Sequence, residues 1–97
     1  MSFGLPDATL ALIRQTLAAE PALQKAVLYG SRAMGRERAG SDIDIAIWAK
    51  EDVAGRLSGA LDALPTPYLF DVTDYNRLTN PDLKAHIDLV GKAIFEK

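Results

Sequence analysis

The stretch "GSRAMGRERAGSDIDIAI", residues 30–47, combines a Gly-Ser pair, three arginines and two aspartates separated by one residue. Its second half alternates acidic and isoleucine positions, which is typical of a half-buried strand. Side chains of a strand alternate between its two faces. We therefore expect Asp42 and Asp44 on one face, with the isoleucines between and after them directed into a core.

Two carboxylates that stand side by side repel one another, and a divalent cation removes that cost. Carboxylate oxygens of Asp42 and Asp44 suit magnesium that is bound jointly with substrate phosphates, and hard sites of this kind also accept manganese. The alternative is a solvated strand edge with two incidental aspartates, and the D-x-D pattern alone does not exclude it.

Gly30 and Ser31 lie where a short apolar run, "KAVLYG" (25–30), ends. Glycine allows the backbone to approach a ligand closely. Ser31 is expected to cap a following helix, and exposed N–H groups at a helix start bind anions. This turn therefore predicts a cradle for the terminal phosphates of a nucleotide, although Gly-Ser also occurs at ordinary turns.

Several cationic and aromatic residues are further candidates for ligand contacts. Arg32 directly follows the Gly-Ser pair and is the first candidate to neutralise triphosphate charge, because guanidinium groups match phosphate oxygens. Arg36 and Arg38 fit either that role or a solvated face. Tyr29 and Trp48 sit inside apolar strand patterns, which favours core packing over base stacking. His86, the single histidine, is expected at the surface of a helix rather than as a ligand.

Apolar periodicity predicts alternating helices and strands along the rest of the chain, with one further helix after Ser31. The fold class is α/β, an α+β sandwich in which a small mixed sheet carries helices on one face. The remaining predicted elements are a helix opened by Pro6 and Asp7, strands over 25–30, 41–49 and 68–75, helices over 51–64 and 80–91, and a short edge strand over 92–97.

Composition indicates a single domain over residues 1–97. The chain has no cysteine, which excludes disulfide and thiol chemistry and is consistent with a cytoplasmic location. No signal peptide and no membrane-spanning run are recognised. A net charge of -2 argues against a nucleic acid as the main partner.

The pattern formed by Gly30-Ser31, ten intervening residues and Asp42-Ile43-Asp44 resembles the signature of the DNA polymerase beta-like nucleotidyltransferase superfamily. With Gly35 and Ser41 in place, it is similar to the short bacterial and archaeal branch, the minimal nucleotidyltransferases. The resemblance extends from about residue 22 to the C-terminus. It implies the polymerase beta-like palm fold.

The resemblance also implies a third carboxylate on a neighbouring strand. Asp71, in the apolar run "YLFDV", matches the family's pattern, whereas Asp74 lies at the strand's end and could merely cap a turn. By resemblance, Asp42 and Asp44 hold two metal ions, and Asp71 helps to hold the ion that activates the attacking hydroxyl.

The function implied is transfer of a nucleoside monophosphate, AMP from ATP, to a hydroxyl acceptor with two magnesium ions. Minimal nucleotidyltransferases commonly pair with a helical partner of the HEPN type, and the pair resembles a toxin–antitoxin module. The expected activity is therefore an antitoxin's adenylylation of a tyrosine in a HEPN-type toxin. Homo- and hetero-oligomers are both compatible with the sequence.

Two alternatives remain at this stage. One is a nucleotide-binding subunit that neutralises a helical partner by contact, without catalysis. The other is the same chemistry directed at a small molecule such as an antibiotic hydroxyl. Enzymes of that kind resemble this chain only in the core motif and generally carry an additional domain.

Overall fold

A four-stranded mixed sheet organises the chain. The structure is a computed structural model that describes residues 3–36, 38 and 40–97. In chain order its elements are α1 (Asp7–Ala18), β1 (Leu23–Tyr29), β2 (Ile43–Ala49), α2 (Ala54–Asp62), β3 (Phe70–Asp74), a short 3-10 turn (Tyr75–Arg77), α3 (Pro81–Val90) and β4 (Lys92–Glu96).

The strand order in the sheet is β3-β2-β1-β4. β1 runs antiparallel to both of its neighbours, whereas β2 and β3 are parallel and are joined through α2. The predicted mixed sheet of an α+β domain is confirmed, and the predicted short edge strand over 92–97 is β4. Within the described part of the chain, no helix is long and apolar enough to cross a membrane.

The main core fills the space between the sheet and the helices α1 and α2. Ile13 and Leu17 of α1 and Leu57 and Leu61 of α2 are all at most 2% exposed, as the helical spacing of the apolar residues predicts. The alternate isoleucines of β2 meet them from the sheet. The two helices therefore cover the face of the sheet that is opposite Asp44.

The prediction that helices cover only one face is wrong, because α3 packs on the other face. A second core forms there from Val27, Tyr29, Ala46 and Ile87. Trp48 stacks on Tyr75 at its edge, with ring centroids 4.5 Å apart. The strands carry apolar side chains on this face too, so they need cover on both sides.

The helix predicted after Ser31 is also wrong, since residues 31–35 form only turns. Gly35 has a φ of +70°, the left-handed conformation that ends helices. The Arg36 amide donates to the Ser31 carbonyl (2.8 Å) and the Gly35 amide to that of Arg32 (3.4 Å). These are the two bonds of a Schellman motif, which closes the helical segment after a single turn.

An ion pair links α1 to α2. Glu20, just after α1 and only 6% exposed, accepts from Arg56 Nε (2.7 Å) and Nη2 (3.0 Å) and from the Ala22 amide (3.1 Å). The bond from Arg56, helped by the one from Ala22, lowers the pKa of Glu20 below its ordinary value of 4.5.

A group whose pKa is lowered by folding stabilises the folded state above its unfolded pKa and loses that effect as the pH falls through the folded value. We therefore expect Glu20 to contribute to stability at neutral pH and to lose that contribution progressively as the pH falls below 4.5. Urea unfolding of wild type and Glu20→Gln should diverge at pH 7 and converge toward pH 3. Equal differences at both values would contradict this assignment.

Candidate active site

Three side chains form a row across the sheet on the α3 side. Asp44 on β2 is paired with Tyr29 on β1 and with Asp71 on β3. Residues that are directly paired across strands point to the same face. The structure thus places Asp44 and Asp71 beside each other on adjacent strands, with Tyr29 next to Asp44 on the other side.

Asp42 lies two residues before Asp44, immediately ahead of the first residue of β2. Strand alternation directs both aspartates to the same face. Asp42 and Asp71 are exposed, while Asp44 between them is half-buried. The carboxylates predicted from the sequence therefore converge on one end of the β2–β3 pair, with Asp44 at the centre.

The Gly-Ser turn closes against the central carboxylate. Gly30 has a φ of +77°, and a Cβ atom built on it would lie closer than 3.0 Å to Asp44 Oδ2 and 3.2 Å from Asp44 Cγ. Both the backbone conformation and the available space therefore require glycine at this position. Ser31 follows, half-buried, at the mouth of the same turn.

The environment of Asp44 disfavours a negative charge on its side chain. Burial raises the pKa of Asp44, and the neighbouring carboxylates of Asp71 and Asp42 raise it further, while the imidazole of His86 lowers it. A bound cation would stabilise the negative charge of a carboxyl that is both desolvated and surrounded by like charges.

The sequence did not predict which side chains pack around Asp44. The Tyr29 hydroxyl lies 3.1 Å from Thr73 Oγ1, and the Tyr29 ring meets His86 edge to face at 6.0 Å. Burial raises the pKa of Tyr29, and Asp71 and Asp44 add to that effect. His86 is half-buried rather than fully at the surface as expected. Its spacing of three residues from Leu83 signals the packed side of α3, but the sequence did not reveal which face α3 covers.

Asp74, the alternative third carboxylate, has a local structural role. It accepts from the Asn76 amide (3.0 Å) and caps the 3-10 turn. It also pairs with Arg77 (2.5 Å), and its side chain is 7% exposed. Asp74 pairs in register with Ile47, on the face opposite Asp44. The geometry therefore favours Asp71 as the third carboxylate.

Arg32 does not reach the open side of the turn. The residue is 4% exposed, and its guanidinium donates to backbone carbonyls inside the protein. Arg36 and Arg38 are exposed, and the Arg38 amide donates to Ser41 Oγ (2.8 Å). Of the three arginines, the two outer ones remain accessible to an anion.

Among the described residues, no three His, Asp or Glu side chains are already arranged as a metal site. The donor set nevertheless fits a hard divalent cation. Asp42, Asp44 and Asp71 offer only carboxylate oxygens, the ligands that magnesium and manganese prefer. Burial and, after it, the like-charged neighbours raise the pKa of Asp44. A bound cation would offset both effects.

Comparison with known families identifies the class of protein. The profile of the "Polymerase beta, Nucleotidyltransferase" family matches residues 12–97. This match includes the Gly-Ser turn, Asp42 and Asp44, and all of β3. The chain belongs to this nucleotidyltransferase family.

Solved structures carry the same fold. A chain from the crystal structure of a toxin–antitoxin with AMP-PNP is 25% identical, with a TM-score of 0.65, and the match covers 96% of this chain and 75% of that one. A chain from the structure of a tri-AMPylated Shewanella oneidensis HEPN toxin in complex with MNT antitoxin matches at 24% identity and a TM-score of 0.62, over 93% of this chain and 71% of that one. No curated protein matches.

A candidate nucleotidyltransferase from Sulfolobus solfataricus has a comparable length. It is 19% identical, with a TM-score of 0.52, and the match covers 97% of this chain and 92% of that one. At such identity the likeness concerns the fold alone. Because the match covers nearly all of both chains, that protein consists of little more than the same four-stranded domain.

Proposed function

We propose that this chain transfers AMP from ATP to a tyrosine hydroxyl of a HEPN-type helical partner and thereby acts as that partner's antitoxin. The observation that carries the proposal is the contact between Gly30 and the Asp44 carboxylate, with Asp71 in register beside it. This contact supports the proposal because nucleotidyl transfer needs a phosphate-binding turn close to metal-binding carboxylates, the roles proposed here for Gly30–Ser31 and for the aspartates.

The similar structures support the choice of nucleotide and acceptor. One holds a toxin–antitoxin with AMP-PNP, and another holds an AMPylated HEPN toxin beside an MNT antitoxin. Those ligands and partners belong to those proteins. Their transfer to this chain rests on the shared fold and on the Gly30–Ser31 turn and the paired Asp44 and Asp71 found here.

Each residue of the site has a distinct part in the proposed reaction. The backbone of Gly30 and Ser31 would bind the triphosphate, and the accessible guanidinium groups of Arg36 and Arg38 can offset its charge. Asp42, Asp44 and Asp71 would hold magnesium, which when bound neutralises phosphate charge and activates the acceptor hydroxyl. The acceptor hydroxyl releases its proton to solvent and its oxygen forms a bond to the α-phosphorus, while the bond from that phosphorus to the oxygen shared with the β-phosphorus breaks and pyrophosphate leaves.

One observation favours a second candidate, a subunit that silences its partner by contact alone. The described residues hold no preformed cluster of three metal ligands. In that case Asp71 and Asp44 would be dispensable for neutralisation, and the proposed transfer would not occur.

The test is label transfer from ATP that carries its isotope on the α-phosphate. Purified chain, magnesium and the protein encoded beside it are mixed, and wild type is compared with Asp71→Asn. Loss of a carboxylate that holds a catalytic metal should lower transfer by at least about 100-fold. Asp74→Asn is the matched control, because it removes a carboxylate on the same strand but keeps an oxygen that caps the turn.

Label on the neighbouring protein with wild type and Asp74→Asn, but not with Asp71→Asn, supports the proposal. Label that persists with Asp71→Asn and is lost with Asp74→Asn would transfer the third metal-binding role to Asp74. No label with wild type, while the complex forms and the partner is silenced, would establish neutralisation by contact.

A further inference from the structure

Arg32 is a buried cation without a carboxylate partner among the described residues. Its side chain lies over the Tyr68 ring, with the guanidinium carbon 5.0 Å from the ring centroid. Its Nη1 donates to the carbonyls of Phe3 (3.2 Å) and Gly4 (3.4 Å), and its Nη2 to that of Ser41 (3.0 Å). Its Nε finds no hydrogen-bond partner in the part of the chain that the structure describes.

The contacts of Arg32 reach the segments that carry the Gly30–Ser31 turn and the three aspartates. Its own backbone directly follows Ser31 of the phosphate turn. Ser41, whose carbonyl it binds, directly precedes Asp42. Tyr68, on which it stacks, leads into β3 and Asp71. One guanidinium fork therefore spans the turn and the starts of both carboxylate-bearing strands.

Burying a charge is expensive, and among the described residues only carbonyls and the Tyr68 ring offset the charge of Arg32. An apolar side chain would avoid that cost but would leave these carbonyls without their donor. A planar guanidinium can donate to several carbonyls in fixed directions at once, which no apolar side chain can do. An arginine at position 32 is therefore explained by the fixed arrangement that its hydrogen bonds impose on the segments around it.

We infer that Arg32 is a positioning residue: it holds the Gly30–Ser31 turn, the start of β2 and the approach to β3 in one fixed arrangement, and it does not bind phosphate itself. The part of this inference that concerns the loop stands by itself. The part that concerns transfer rests on the proposed function.

The first test needs no nucleotide. Trypsin cleavage after Arg36 or Arg38 reports opening of the loop between β1 and β2 in the free protein. With its anchor removed, Arg32→Met should be cleaved there at least about tenfold faster than wild type, because proteolysis follows the population of the open form. Arg14→Met is the matched control, since Arg14 also donates to a backbone carbonyl, that of Ile94 (3.1 Å), but lies in α1.

Tyr68→Leu provides a second route if Arg32→Met fails to fold. It leaves the arginine in place and removes the ring on which it stacks, so it should accelerate the same cleavage by a smaller factor. Unchanged cleavage in both Arg32→Met and Tyr68→Leu, or equal acceleration in Arg14→Met, would overturn the inference.

The second test separates positioning from phosphate binding in the transfer assay. A positioning role predicts that Arg32→Lys lowers kcat by about 10–100-fold with a smaller change in the KM for ATP, as for residues that orient metal ligands. A phosphate ligand would instead give wild-type cleavage in the free protein and a large rise in KM. Absence of transfer by wild type would refute the proposed function and leave the cleavage result to decide the role of Arg32.

Discussion

Asp44→Asn is expected to abolish nucleotidyl transfer and, at the same time, to raise the unfolding temperature of the metal-free protein. Asp44 is half-buried between two other carboxylates. Its charge opposes folding when no cation is present, because burial and like charges both disfavour it. Asparagine keeps the shape of the side chain and removes the charge. Activity and stability should therefore change in opposite directions at this one position.

The measurement is thermal unfolding at pH 7, with and without magnesium, alongside the transfer assay. Each ~1 kcal/mol of relieved repulsion corresponds to about 4–8 °C in a domain of this size. Wild type should gain stability from magnesium, since a ligand that binds only the folded state stabilises it. Without magnesium, Asp44→Asn should have a higher unfolding temperature than wild type, and magnesium should raise it little further. Its transfer rate should fall by at least about 100-fold.

Asp82→Asn is the control for this prediction, because Asp82 is an exposed carboxylate in the first turn of α3, outside the site. It should leave both the magnesium response and transfer unchanged. If Asp44→Asn instead lowers the unfolding temperature of the metal-free protein, the carboxylate has a structural partner that the proposed role does not include. Persisting transfer would exclude Asp44 as a metal ligand.

The local parts of this structure were predictable because they depend on neighbouring residues. Helical spacing in α1 and α2 predicts which leucines and isoleucines are buried. Asn80 caps α3 through its side chain, which accepts from the Asp82 and Leu83 amides (3.0 and 3.2 Å). Strand alternation likewise separates Asp44 from the isoleucines on either side of it. Each of these features is determined by a side chain's position within one element.

What the sequence did not reveal depends on contacts between distant segments. The face that α3 covers follows from how β1 and β2 pair, since Val27 and Ala46 expose apolar surface only once the sheet has formed. The place of His86 near Asp44 follows from the same packing. The burial of Arg32 could not be read from the sequence either, because its acceptors, from Phe3 to Ser41, are brought together only by the tertiary fold.

The missing helix after Ser31 has a different origin. Gly35 matches the family's pattern, and its φ of +70° also determines where the helical segment ends. A left-handed glycine four residues after Ser31 stops a helix after one turn. The resulting short turn leaves the Gly30 backbone against Asp44 rather than carrying the chain away along a helix axis.

Gly30→Ala is expected to impair both folding and transfer more than an alanine substitution at any other glycine of this loop. At a φ of +77° alanine costs about 1–2 kcal/mol in backbone strain. The added Cβ would also meet Asp44 Oδ2 at less than 3.0 Å. Either the turn or the carboxylate must shift, and either shift separates the Gly30–Ser31 turn from the carboxylates proposed to hold metal.

Gly35→Ala is the matched control, because Gly35 has a φ of +70° and a Cβ there would meet nothing within 4 Å. Both variants carry the backbone cost, and only Gly30→Ala carries the collision. Urea unfolding should therefore show a larger loss of stability for Gly30→Ala, and combining it with Asp44→Ala should recover part of the difference, because the truncated side chain makes room for the Cβ atom. Equal losses in the two glycine variants, with no coupling to position 44, would mean that the turn does not press on the carboxylate. The contact on which the proposed site depends would then be absent in solution.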